Sequence, residues 1–285
     1  MKRRNKIIMF LGILLVLIGG ILIYWNISYS PYEAAFSRKM EERANSITET
    51  EEVCTAKEIA DLPKPLQRYC EYIGLENFPK HQVTRTIFKN TNFIFDAQSE
   101  KTLNMDYDLW LFFDEPYRSA YCTSSMFGIP FDGMDYCTED KKGGMKGILG
   151  KTIQIFDVCD YQGYKAGLIS WLAESVAFNP SVLQSSYITY DVIDDTHVKA
   201  TVTYNDVTGS GIFTINKDGA ITEFYSDERQ VEKIDGIPTN IGWRCEYKNY
   251  EKNNQIKQVG TVRCIKVFPN KEVVYFDSDD FVVSY

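Results

Sequence analysis

The sequence predicts a mainly β protein in which one N-terminal transmembrane helix precedes a domain built on an antiparallel sheet. Three observations lead to this class. Residues 7–27 form an apolar run long enough to cross a membrane. From about Gln82 onward, apolar and polar residues alternate in short runs, the pattern of half-buried strands. Turn-forming residues separate these runs by short connections, which favour antiparallel neighbours.

The apolar run extends from Ile7 to Ile27 (IIMFLGILLVLIGGILIYWNI) and contains no charged residue. At a rise of ~1.5 Å per residue, about twenty residues cross the ~30 Å hydrocarbon core. A cleaved signal peptide is the alternative. However, the run exceeds the usual apolar region of a signal peptide, and Tyr24 and Trp25 stand where a small-residue cleavage site is expected. We therefore predict an uncleaved helix over 7–27.

Basic residues set the predicted orientation of this helix. Residues 1–6 include Lys2, Arg3, Arg4 and Lys6, whereas residues 28–32 carry no charge. Because positive charge stays on the cytoplasmic side, residues 1–6 form a cytoplasmic tail and the remainder of the chain lies outside the cytoplasm. The predicted location is the cell membrane, crossed once.

The domain beyond the helix is acidic. All 39 acidic residues follow residue 31, whereas four of the 31 basic residues precede it, which leaves the domain a net charge near −12. Nucleic acid and anionic lipid surfaces are bound through clustered Lys or Arg. We therefore expect no nucleic-acid partner and no strong adhesion to anionic lipid. The sequence identifies no protein partner.

The chain contains seven cysteines, so at least one is unpaired or pairs between chains. Cys122 and Cys137 lie nearly equidistant from the turn signal Gly128-Ile129-Pro130, and Cys245 and Cys264 lie equidistant from Asn254-Gln255. Each pair is a candidate disulfide across neighbouring strands if the strands bring the β-carbons close enough. The alternative is free, buried cysteine, a common state for this small apolar side chain.

The sequence contains few of the residue patterns that bind metals or cofactors. The chain has two histidines, His81 and His197, and no Cys-x-x-Cys pair, so we predict no zinc site and no cofactor. Two acidic clusters lack the ligand spacing of a calcium loop and are typical of solvated turns. Their members are Asp132, Asp135, Glu139 and Asp140 in one cluster, and Asp277, Asp279 and Asp280 in the other.

Helical patterns occur in two segments before the first predicted strand and in one segment near the middle of the exterior part of the chain. Residues 28–56 are rich in Glu, Lys, Arg and Ala and are predicted to form a helical stalk, followed by the β domain over 57–285. Thr55-x-x-Glu58 has the form of a capping box, and a short helix is expected from Pro65 to Gly74. A longer helix is predicted from Tyr161 to Ala177, ended by Pro180. The predicted strands are VTRTIF, TLNMDYDLWLFF, YRSAYCTS, TIQIFDV, ITYDVI, HVKATVTY, GIFTIN and AITEFYS.

Several of these segments carry a resemblance. The series LPKPLQRYCEYIG, GGMKGILG, LISWLAESVAFNPSVL and ITEFYSDER, ending in a Trp-containing strand series, resembles an uncharacterised bacterial family with recurring motifs L-P-x-P-x-Q-R-Y and W-L-A-E followed by proline. The resemblance covers Leu62 to Tyr285, with altered spacing around Pro238 and Trp243. It implies a membrane-tethered β domain similar to the curved half-barrels of lipoprotein carriers, wrapping one or two helices. It implies no catalytic residue, since the family has no established activity.

Catalytic motifs give no support for an enzyme. The segment from Gly144 to Thr152 resembles a phosphate-binding loop, but five residues separate its glycines instead of four, and a strand pattern follows where a helix is needed. Its glycines are better explained by a strand bend or a tight hairpin. No Gly-x-Ser-x-Gly elbow is present, and neither histidine is tied to a nucleophile by a motif. We predict a protein without catalytic activity.

Two functions remain from the sequence. The first is a binding module, in which the half-barrel leaves an apolar concavity for a lipid or other hydrophobic ligand. Its candidate lining residues are Trp171, Glu174, Phe178, Tyr225 and Arg229. The second is a structural or interaction protein of the cell envelope, in which the helix simply fills the sheet.

Glu174 receives a separate prediction, because it lies three residues after Trp171 and so shares its helix face. A buried carboxylate needs a partner, and Arg229 is the predicted one. The alternative places Glu174 in solvent near the helix end.

Overall fold

A computed structural model describes residues 2–48, 50–94, 101–234, 237–253 and 255–285. Strands make up 48% of the chain, and they form an antiparallel sheet that curls through 273° into a half-barrel. The predicted fold class is confirmed. The helices are α1 (Lys2–Asn26), α2 (Pro31–Ser46), α3 (Ala56–Ala60), α4 (Lys64–Ile73) and α5 (Tyr161–Phe178), with a 3₁₀ helix at Pro180–Gln184.

The strands follow chain order with few exceptions. They are β1 (Val83–Ile94), β2 (Thr102–Phe112), β3 (Tyr117–Met126), β4 (Ile129–Cys137), β5 (Gly143–Leu149), β6 (Ile153–Asp160), β7 (Ile188–Val192), β8 (His197–Tyr204), β9 (Val207–Ile215), β10 (Ile221–Ile234), β11 (Ile237–Lys248), β12 (Glu251–Asn253), β13 (Ile256–Gln258), β14 (Thr261–Val267), β15 (Glu272–Ser278) and β16 (Phe281–Ser284). The main sheet has 14 strands in the order β6-β5-β4-β3-β2-β1-β15-β14-β11-β10-β9-β8-β7, with β16 also paired to β1. Most neighbours are consecutive hairpins, as the short connections predict.

The two faces of the sheet bury different partners, and strand β2 shows why. Its side chains alternate in direction, so Leu109 and Leu111 join the core on the concave face, whereas Trp110 and Phe112 join a second cluster on the convex face. The concave core surrounds α5, which contacts β3, β5, β9 and β10. Burial on both faces explains the continuous apolar stretch at the end of β2.

Helix α5 begins and ends close to its predicted bounds. Asp160 caps it by accepting a hydrogen bond from the Gly163 amide, and the 3₁₀ helix that starts at Pro180 follows it. A Cβ on Gly163 would lie 2.0 Å from the Gly143 carbonyl oxygen, so glycine permits the close approach of α5 to β5. The helix is thereby held inside the half-barrel.

The predicted stalk is folded onto the domain instead of standing free. Helix α2 occupies part of the segment 28–56, and its Phe36 and Met40 are buried against the convex face of the sheet. Arg43 of α2 lies over the Phe112 ring at 4.7 Å and donates to Glu115 at 2.6 Å. Periodicity alone shows that a helix has an apolar face but does not show what covers that face.

Helix α1 is exposed from Arg4 to Ile18, and Trp25 near its end lies against the domain. Among the described residues it contains the one stretch long and apolar enough to cross a membrane, with a mean hydropathy of 2.9.

The expected capping box at Thr55 and Glu58 is present at the start of α3. Helix α4 ends at Gly74, which has a φ of 76°, a left-handed conformation that glycine adopts readily.

The segment from Gly144 to Thr152 forms a hairpin and not a phosphate-binding loop. It comprises most of β5 and a turn in which Gly150 and Lys151 have φ values of 61° and 66°, and β6 follows. No helix N-terminus lies there to receive a phosphate. The hairpin interpretation is confirmed.

Candidate functional site

A cavity of about 280 Å³ lies between the concave face of the sheet and α5. Its wall is largely apolar and aromatic, because the inward positions of the surrounding strands carry mainly such side chains. The apolar lining residues are Phe88, Phe93, Ile94, Met105, Leu109, Ala120, Met145, Phe178, Trp243, Val262 and Phe276. The cavity therefore offers an apolar surface enclosed on several sides.

A polar cluster centred on Arg118 of β3 interrupts this apolar wall, and Arg229, Gln230 and Lys266 also line the cavity. The Arg118 guanidinium holds both carboxylate oxygens of Glu174 on α5, with Nε to Oε2 at 2.5 Å and NH2 to Oε1 at 2.9 Å. Its NH1 donates to Asp135 Oδ2 at 2.9 Å, and its NH2 donates to the Tyr107 hydroxyl at 2.7 Å. Tyr107 donates in turn to Asp135 at 3.0 Å. The cluster links α5 to β2, β3 and β4.

Burial and charge oppose each other at this cluster. Arg118 is only 9% exposed, and burial alone would lower its pKa. The negative charges of Glu174 and Asp135 outweigh burial and raise the pKa of Arg118 well above its usual value. Burial also raises the pKa of the Tyr107 hydroxyl. Arg118 is thus permanently charged and satisfied by its neighbours.

Glu174 has an arginine partner, but the predicted partner was wrong. Arg118 pairs with Glu174, whereas Arg229 of β10 lies over the Trp243 ring at 4.1 Å. The Arg229 Nε donates to Ser170 Oγ at 2.7 Å, one turn before Glu174 on α5. The sequence shows that Glu174 faces the sheet but does not show which strand passes opposite it.

The five predicted lining residues divide into two groups. Glu174, Phe178 and Arg229 line the cavity. Trp171 is buried in the core, where its Nε1 donates to the Phe112 carbonyl oxygen at 2.8 Å, and it does not reach the cavity. Tyr225 also lies outside the lining, because its hydroxyl is directed toward Gly242 of β11.

Arg118 and Tyr107 were not identified from the sequence, and Asp135 was noted there only as a member of an acidic cluster. A signal was available in β3, where Arg118 occupies the same alternate positions as Ala120 and Cys122. A charged residue on the inward face of a strand requires a buried partner. That pattern marks Arg118 as a functional or structural candidate.

Of the two predicted cysteine pairs, one lies directly opposite across neighbouring strands and the other does not. Cys245 and Cys264 are direct partners across β11 and β14, with their Sγ atoms 3.1 Å apart, and both line the cavity. Cys122 lies opposite Gly133, and Cys137 lies opposite Gly143, so the first pair is not opposed. The tight turn between Met126 and Ile129 sets this register, not the symmetry of the sequence.

All seven thiols are free in the structure. Burial raises the pKa of Cys245 well above its usual value, which slows its reaction as a thiolate. Asn254, part of the turn from which this pair was predicted, lies outside the described residues.

Within the described ranges, no group of three or more His, Cys, Asp or Glu side chains is arranged to hold a metal ion. Three of the seven members of the acidic clusters form ion pairs. Asp135 contacts Arg118, Asp140 contacts Lys142, and Asp277 contacts Arg263.

Comparison with known proteins gives a family and one solved fold. A crystal structure of a LolA superfamily protein from Nitrosomonas europaea aligns with 80% of this chain and 93% of its own, at 12% identity and a TM-score of 0.33. No curated protein matched this sequence. Residues 52–278 match DUF6544, described as a family of unknown function. Because this match spans most of the chain, the protein belongs to the DUF6544 family.

Proposed function

We propose that the domain is a binding module for a lipid or another hydrophobic ligand, held at the membrane by α1 with the domain outside the cytoplasm. The cavity between the sheet and α5 carries this proposal, because most of its wall is apolar. When an apolar ligand fills an apolar cavity, the free energy of the system falls because apolar surface is removed from water. The proposed role requires no catalytic residue.

The size of the cavity restricts the ligand. Its volume of about 280 Å³ is close to the ~300 Å³ at which small-molecule pockets begin. A single acyl chain or a similarly slim molecule suits this space better than a bulky one. A two-chain lipid would place one chain inside the cavity and leave its headgroup outside it.

Arg229 favours a ligand with an acidic group. Among the described residues, no carboxylate forms an ion pair with Arg229, whereas the Arg118 charge is balanced by Glu174 and Asp135. The guanidinium lies at the cavity wall against Trp243. An acidic headgroup would supply the missing negative charge and form charge-assisted hydrogen bonds.

Binding of a fluorescent fatty acid to the full chain in detergent tests the proposal. Met145 of β5 is half-buried and lines the cavity, so Met145→Trp fills the space and should reduce binding several-fold. Met134→Trp is the matched control, because Met134 lies on the convex face beside α2 and should leave binding unchanged. Equal binding by both variants and the unmodified protein would contradict a ligand site in this cavity.

The second candidate is a structural or interaction protein without a small-molecule ligand. It is favoured by α5, whose buried side chains already fill much of the concavity. Mass spectrometry of organic extracts separates the two functions. A lipid that the unmodified protein retains and Met145→Trp lacks supports the binding module, whereas no retained lipid in either supports the second candidate.

A further inference from the structure

We infer that the protein makes a second contact with the bilayer through an apolar edge formed by Phe127, Ile153 and Ile155. This inference rests on the proposed anchoring of α1 in the membrane. It concerns the surface of the domain and not its cavity, since none of the three residues lines the cavity.

The apolar edge exposes large side chains to the surroundings of the domain. Phe127 is 91% exposed in the turn between β3 and β4, and Ile153 is 62% exposed at the start of β6. Ile155 is 46% exposed, because Gln154 pairs with Ile148 and Phe156 with Gly147, which leaves Ile155 as an extra residue in a β-bulge. Adjacent exposed apolar side chains on a strongly acidic domain mark a contact surface.

The two turns that carry the edge are neighbours in space. Phe131 pairs with Leu149, and the Gly150 amide donates to the Pro130 carbonyl oxygen at 2.7 Å. The turn before β4 and the turn before β6 therefore end at the same border of the sheet. Phe127 and Ile153 therefore lie at the same border of the sheet.

This border lies against the end of α1. Lys151 Nζ donates to the carbonyl oxygens of Ile27 and Tyr29, and a Cβ on Gly150 would lie 3.0 Å from Trp25 Nε1. A groove between the border and α1 is lined by Leu22 and Trp25 on the helix, by Gly128 on the turn and by Pro130 on β4. The charged residues Glu33, Asp132 and Lys151 also line it. The turn at Phe127 thus reaches the level of the last apolar turns of α1.

Depth and charge both identify the bilayer as the occupant. Tyr24 and Trp25 are the aromatic residues typical of the membrane interface, so the neighbouring turn lies at the boundary of headgroups and acyl chains. Residues 123–131 carry no charge, and Lys151 is the single charge in residues 147–156. Because the edge is apolar and the domain is acidic, insertion would rest on apolar burial and would occur in zwitterionic lipid.

Photo-cross-linking from single positions tests the inference. The full chain is reconstituted in phosphatidylcholine vesicles with p-benzoylphenylalanine in place of Phe127 or, separately, Ile153. Val192 is the matched control, because it is 56% exposed on β7, the strand at the opposite edge of the sheet. Replacing these exposed side chains removes little packing, and two edge positions guard against a local failure of either one.

After irradiation, peptides carrying lipid adducts are counted by mass spectrometry. We expect several-fold more lipid adduct at positions 127 and 153 than at 192. Equal labelling at all three positions in chains that float with the vesicles would overturn the second contact and leave the α1 anchor intact. Chains that fail to float would overturn both. Retention of a cavity ligand is measured separately, so its failure is distinguishable from either result.

Discussion

At the scale of single residues, Glu174 shows what a helix pattern can predict and what it cannot. Its spacing from Trp171 correctly indicates a carboxylate facing the sheet, and a buried carboxylate requires a cation. The cation is Arg118, which is distant in sequence and is brought opposite α5 by the curl of the sheet. Helix periodicity is local, whereas the strand that passes a given helical residue depends on the register of the whole sheet.

The Glu174 and Arg118 pair should contribute mainly to stability. We expect Glu174→Ala to lower the free energy of unfolding by about 3 kcal/mol, because a buried guanidinium then keeps only Asp135 as its charged partner. The double change Glu174→Ala with Arg118→Met should recover much of this loss, since no uncompensated arginine remains. Denaturant unfolding in mild detergent measures both. If the loss of stability in the double variant equals the sum of the losses from the two single changes, the two residues are not coupled.

Cys245 and Cys264 are placed to form a disulfide where the surroundings are oxidising. The sequence correctly suggested that they face each other, and the Sγ atoms are within reach of a bond after a small approach. We expect non-reducing peptide mapping of protein isolated from its proposed location to find this link and to find Cys122 and Cys137 unlinked to each other. Alkylation of all seven thiols would contradict the link.

At the scale of elements, the regular repeats were predictable and the contacts between elements were not. The expected bounds of α5, Tyr161 to Ala177, differ from the observed helix by one residue, because an N-cap and a following proline mark its ends. The helical segment after α1 was also recognised, but its packing on β2 was not. Burial of Phe36 depends on Trp110 and Phe112, which lie far along the chain.

Helix α2 should therefore contribute to the stability of the domain. We expect Phe36→Ala to cost about 3 kcal/mol, because it leaves a cavity beneath the helix. Arg38→Ala is the control, since Arg38 lies on the exposed face of α2. Thermal unfolding in detergent compares the two variants. A free stalk would give no difference between them.

At the scale of the whole molecule, the orientation of the chain in the membrane can be tested directly. Because basic residues precede α1 and an uncharged segment follows it, we expect the domain to lie outside the cytoplasm. A cysteine-free β-lactamase fused after Tyr285 should protect cells from a β-lactam. A fluorescent protein that matures only in the cytoplasm should remain dark at the same position, and the reverse result would contradict the orientation.

Because the sheet does not close into a complete barrel, the cavity can adjust its width to ligands of different thickness. In a closed barrel, a ring of backbone hydrogen bonds fixes the bore. Here the ring stops at 273°, and α5 braces the two halves, through Gly163 against β5 on one side and Ser170 against Arg229 of β10 on the other. Widening the cavity therefore strains the contacts of one helix and leaves every strand ladder intact.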